Sequence, residues 1–152
     1  MKDKIYETLF KISENWYRKL FKKKAQAWNI TIEKLEKKEN GKLGKEYYKF
    51  LNTNGFSILP KLESHDIFHV ITGTGTKVKD EISMQFYLFA NGKRSVYQAL
   101  VICSSIFYIE HYNFFFQQYK KGKQALPFHH LDYKNLLDTD LKELITNYNI
   151  TR

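Results

Sequence analysis

The sequence predicts an all-α fold, a single domain of about six to seven helices packed as a bundle. Three observations carry that expectation. Apolar residues recur at spacings of three and four along most of the chain, the period of a helix with one buried face. Only seven glycines and two prolines occur in 152 residues, too few for the tight turns of an all-β fold. No internal repeat and no low-complexity linker divides residues 1–152.

Taken in order, the first helix places Ile5, Leu9, Ile12, Trp16 and Leu20 on one face, with Lys22, Lys23 and Lys24 crowding its end. Cations there suit the helix dipole. A short helix from about Thr31 to Lys38 follows, stopped by Glu39-Asn40-Gly41. Gly44 to Asn52 is the next, ended by Asn54-Gly55. Phe56 to Leu59 is irregular, and Pro60 suits the first turn of a helix running from about Lys61 to Thr72. Gly73 and Gly75 break that helix. Another spans about Thr76 to Asn91, with Ile82, Phe86 and Phe89 on one face and Gly92 as its stop. A long helix from about Arg94 to Lys120 is apolar nearly all round between Ala99 and Ile109, the pattern of a central buried helix. After Pro127 a last short helix covers Asp138 to Tyr148, with Leu141, Leu144 and Ile145 inward.

The formal charge is +9, from 25 Lys and Arg against 16 Asp and Glu. Such a balance fits an anionic membrane surface, but no nucleic-acid recognition motif accompanies it. Lys, Asn, Ile, Tyr and Phe are abundant together, so A/T-rich codons account for much of the basicity. Cys103 is the one cysteine, which rules out an intrachain disulfide and a four-cysteine zinc site. Acids at Asp3, Glu7 and Glu14 argue against a secretory or mitochondrial leader. The longest mostly apolar run, Ser95 to Ile109, is shorter than the roughly 20 residues a bilayer span needs. The expectation is a cytoplasmic protein, peripheral at most on the inner face of the membrane.

Chemistry concentrates at His65-Asp66-Ile67-Phe68-His69. At about 100° per residue, His65, Asp66 and His69 share an arc of roughly 100° on one helix face. Imidazole nitrogens with a carboxylate suit a divalent metal. Glu81 follows after eleven residues, across the Gly73/Gly75 turn. In an antiparallel hairpin, His69 and Glu81 stand at matching heights of roughly 5–7 Å from the turn. Metalloproteases place Glu where Asp66 stands. Histidine-aspartate phosphohydrolases need a histidine upstream of His65, and there is none. A haemerythrin-like site needs more histidines than this chain supplies.

These residues resemble the metal motif of the coenzyme Q biosynthesis protein Coq-four family. The similarity extends to Leu43-Gly44-Lys45-Glu46-Tyr47, Phe50-Leu51, Asn54-Gly55, Pro60, Val70-Ile71-Thr72-Gly73, Asp80-Ile82 and, less distinctively, Leu131-Asp132-Tyr133 and Leu136-Leu137. It covers about residues 43–150. The resemblance implies an all-helical metal protein of ubiquinone biosynthesis, working on a polyprenylated aromatic precursor or another isoprenoid lipid at a membrane surface. It implies His65, Asp66, His69 and Glu81 as ligands; their donor chemistry suits zinc first, with iron, manganese and magnesium open. Oxidative removal of the ring carboxylate is the implied reaction. Non-catalytic lipid binding, or scaffolding of other quinone-biosynthesis proteins, is the alternative. No catalytic residue is singled out, and no oligomeric state is implied.

Outside the motif, Glu110-His111 is a candidate proton carrier. Phe107, Tyr108, Tyr112, Phe114, Phe115, Phe116 and Tyr119 are core residues or the wall of a lipid pocket. His129 and His130 have no assigned role. Arg94, Lys120, Lys121 and Lys123 flank helix ends or meet anionic headgroups. The first helix is the candidate membrane anchor, unless its apolar face packs on the long aromatic helix.

Overall fold

A computed structural model describes residues 27–152. The predicted first helix lies outside them. Among the described residues the fold is all-α, with an isolated antiparallel bridge between Lys42 and Asp140.

Helix α1 (Ile32–Glu36) turns into α2 (Leu43–Asn54), which ends where Gly55 takes the left-handed conformation at φ 65°. The next helix starts later than the proline suggested. Lys61 adopts φ 74°, which no right-handed helix accommodates, so α3 runs Glu63–Thr72. Gly73 ends α3 at φ 66°, and α4 (Val78–Ala90) returns from it. Helices α3 and α4 thus form the expected hairpin. Further on, α7 (Leu141–Asn147) is capped by Asp140, whose Oδ1 accepts from the Lys142 and Glu143 amides.

The main core gathers α1 to α4, the tail and α7. Tyr47, Leu51, Ile67, Ile71, Tyr87 and Phe128 are among its fully buried side chains. Asn91 pins the tail beneath α4. Its side-chain amide donates to the Leu126 carbonyl and its Oδ1 accepts from the Phe128 amide, both at 3.0 Å.

The long central helix is where expectation and structure part. It is three pieces: α5 (Val96–Ser104), a 3₁₀ turn (Ser105–His111) and α6 (Tyr112–Gln124). Tyr108 leaves helical geometry at φ −128°, ψ 43°. Two serines sit at the break, and Ser104 Oγ donates back to the Val101 carbonyl, a bond that bends helices. Nor is the segment central. Tyr97, Val101, Tyr108 and Phe115 pack with Ile82 in a second, smaller core. On the other side Val96, Ala99, Leu100 and Cys103 face outward at helical spacing. Ile106, Phe107 and Ile109 continue that face at 60–64% exposure. By length and composition Val96–Gln124 is long and apolar enough to cross a membrane, but it is bent in the middle.

Helix α6 crosses α4 very closely at Gly122. A Cβ there would overlap the Tyr87 backbone carbonyl, so the crossing needs glycine.

Candidate metal centre

The hairpin brings one ligand atom each from His65, His69 and Glu81 within 4.8 Å of one another. Four-residue spacing puts both histidines on one face of α3, and their rings meet edge to face at 5.0 Å. Glu81 comes from the first turn of α4. Its two oxygens divide the work. Oε1 lies 3.1 Å from His65 Nε2, and Oε2 lies 3.1 Å from His69 Nε2. Ligand atoms around a tetrahedral ion with bonds of about 2.0–2.1 Å stand roughly 3.3 Å apart. The donor set is of the right chemical kind for such an ion, and its three atoms lie within 4.8 Å of one another.

Each imidazole is oriented from behind. His69 Nδ1 faces the Thr74 carbonyl at 3.3 Å, beyond the Gly73 turn, and Phe50 stacks on the ring at 5.5 Å. His65 Nδ1 faces Asp66 Oδ1 at 3.5 Å. Both Nε2 atoms are thereby directed at Glu81, the arrangement in which metal-bound histidines are usually held. Asp66 is not one of the three converging groups. Its Oδ2 accepts from the Tyr47 hydroxyl at 3.0 Å, which ties the centre to α2. His65 and Asp66 retain some exposure, and His69 and Glu81 are buried, so the site opens on the His65 side.

Electrostatics follow from this burial. Desolvation pushes the His65 pKa down, but the Glu81 carboxylate and the bonds to Asp66 and Glu81 outweigh it and hold it up at about 9. Burial pushes Glu81 up, and the two imidazoles outweigh it and hold the carboxyl well below its ordinary range.

The remaining candidates stand apart. His111 packs between Tyr108 and Phe115, at ring distances of 6.3 and 6.2 Å, in the second core, and Glu110 is exposed. His129 Nδ1 faces the Asn91 carbonyl at 3.1 Å. The aromatic stretch divides: Tyr108 and Phe115 are buried, and Phe107, Tyr112 and Phe116 are exposed. Sequence reasoning missed Tyr47, Thr74 and Gln85. Gln85 had a signal, since it follows Glu81 by one helical turn; Tyr47 lay within the segment that resembles the family but was given no role, and Thr74 had no signal.

Comparison with known proteins bears on the family and the fold. A family described as coenzyme Q (ubiquinone) biosynthesis protein Coq4 matches residues 58–152. No curated protein matches the chain. The crystal structure of a candidate ubiquinone biosynthesis protein from Nostoc punctiforme PCC 73102 superimposes with a TM-score of 0.66. It is 18% identical, over 89% of this chain and 75% of that one, a likeness of fold.

Proposed function

The chain belongs to the coenzyme Q (ubiquinone) biosynthesis protein Coq4 family, and on that premise we propose that its α3–α4 hairpin holds a divalent metal ion and acts on a polyprenylated aromatic precursor of the quinone. The convergence of His65, His69 and Glu81, with both imidazoles held from behind, carries the reading. Zinc is the first candidate; iron, manganese and magnesium accept the same kinds of donor with different preference. When bound, the ion supplies a Lewis acid for a carboxylate or phenolic oxygen of the aromatic ring. The protein's own part is to fix the two Nε2 atoms, to keep Glu81 ionised, and to admit substrate on the His65 side. Asp66 is the fourth group of the centre, a ligand by family resemblance and an orienting partner of His65 by its position.

A prenylated substrate resides in a bilayer, and the outward face of α5, the 3₁₀ turn and α6 supports contact with one. Lys93 and Arg94 precede this face and Lys120, Lys121 and Lys123 follow its middle, against the single acid Glu110. Each cation near an anionic surface adds about 1 kcal/mol. The same face supports the second reading, a prenyl-lipid carrier or scaffold in which the ion only fastens the hairpin.

Metal analysis of the purified protein, with His65→Ala and Glu81→Ala as controls, tests the site. The wild type should retain close to one equivalent of divalent ion and the variants almost none; wild type without ion sinks the proposal. Incubating loaded protein with a prenylated hydroxybenzoate and following products by mass spectrometry separates the readings. Loss of the ring carboxylate that depends on Glu81 supports the enzyme. Bound lipid without turnover supports the carrier.

A further inference from the structure

Gln85 is wholly buried on α4, and its Nε2 donates to Glu81 Oε1 at 2.8 Å. Gln98, on α5, is just as buried, and its Nε2 donates to the Gln85 backbone carbonyl at 3.2 Å. Among the described residues neither Gln85 Oε1 nor Gln98 Oε1 has a hydrogen-bond partner. A buried, unpaired amide oxygen is uncommon and calls for a reason. For Gln85 the reason is chemical. An ionised carboxylate only accepts, so the amide beside it must turn its NH₂ inward, wherever that leaves its oxygen. The fold leaves an acceptor unpaired and keeps the carboxylate held.

We propose that Gln85 is a positioning residue of the metal centre, fixing Glu81 through Oε1 so that the carboxylate keeps its orientation when an ion binds. The proposal rests on the reading of the hairpin as a metal site. Glu81 has three side-chain contacts among the described residues: His65 and Gln85 at Oε1, and His69 at Oε2. An ion takes over both imidazole nitrogens. The Gln85 bond is then the side-chain hydrogen bond that remains to set how the carboxylate is turned. Groups in this role typically change metal affinity 10–100-fold.

The test uses the full chain with Gln85→Met and Gln98→Met, each an apolar side chain of similar length. Co²⁺ is titrated against a chromophoric chelator, and the visible absorption of the bound ion is recorded. Gln85→Met should bind Co²⁺ roughly 10–100-fold more weakly, with an altered spectrum, and Gln98→Met should match wild type. A purely structural role for the buried amides predicts that the two variants behave alike. Gln85→Asn, which keeps the amide but withdraws it from Glu81, serves as a second variant and should also bind more weakly. Wild-type affinity and spectrum in both Gln85 variants, or equal impairment in Gln98→Met, overturns the proposal. Wild type that ignores Co²⁺, or binding undiminished in Glu81→Ala, overturns the metal reading and this proposal with it.

Discussion

The α3–α4 hairpin and the α5–α6 arm are both apolar in sequence, yet they turn opposite ways. The hairpin buries its polar groups: His69, Glu81 and Gln85 lie inside, each with a partner. The arm does the reverse and leaves Leu100, Ile106, Phe107 and Ile109 more than half exposed. Apolar content therefore measures how much a segment gains by leaving water, not what it leaves water for. In the hairpin the main core supplies the other side. In the arm the second core covers one face, and the opposite face stays exposed among the described residues.

The largest expected effect breaks the hairpin side of this contrast. Glu81→Ala should abolish metal retention and leave the two imidazoles without the carboxylate between them. Stripping one partner from a buried charged pair typically costs about 3–5 kcal/mol, so denaturant unfolding of the metal-free variant should show a loss of that order. On the arm, burial should decide everything. Phe115→Ala, at 1% exposure, should cost about 3–5 kcal/mol. Ile109→Glu, at 64%, should leave stability within about 0.5 kcal/mol and remove binding to anionic vesicles. Equal costs in the two would mean the outer face is not free.

Asp66→Asn sharpens the ligand set. An orienting role behind His65 predicts Co²⁺ affinity lowered about 10–100-fold. Loss as complete as in Glu81→Ala makes Asp66 a ligand.

The smallest effect is a pH dependence of the metal-free protein. His65 has its folded pKa raised to about 9 from an ordinary value near 6.5, so its contribution is complete below about pH 6.5 and is lost as pH rises through 9. Glu81 has its folded pKa depressed, so its contribution is present above about pH 4.5 and is lost as pH falls through that depressed value. The melting temperature should decline from neutral pH toward pH 9 and beyond. Saturating metal, which takes the proton's place on His65, should flatten that decline. A metal-free curve already flat between pH 7 and 9.5 would contradict the pairing.

The hairpin was legible because its information is local. His65, His69 and Glu81 lie within seventeen positions, and helical period plus a glycine turn places them. The arm was not legible because all-round apolarity reads the same for a buried helix and for one with an exposed outer face. Its break lies in the backbone angles of Tyr108, which residue spacing does not reveal. The late start of α3 turned on one backbone angle, at Lys61, where Pro60 pointed to an earlier one. The hold of Tyr47 on Asp66 spans nineteen positions between two helices, and no pattern along one helix encodes it.

The thiol of Cys103 sits on the outer stripe of the arm, beside Ala99 and Leu100, and no other cysteine competes with it. The wild-type chain therefore carries its own attachment point for a maleimide dye. A polarity-sensitive fluorophore placed there would brighten and shift to the blue when the face enters a bilayer, and stay dark in buffer. The same position makes the purified protein prone to air oxidation between copies, outer face to outer face, so a reductant belongs in every buffer in which its assembly state is measured.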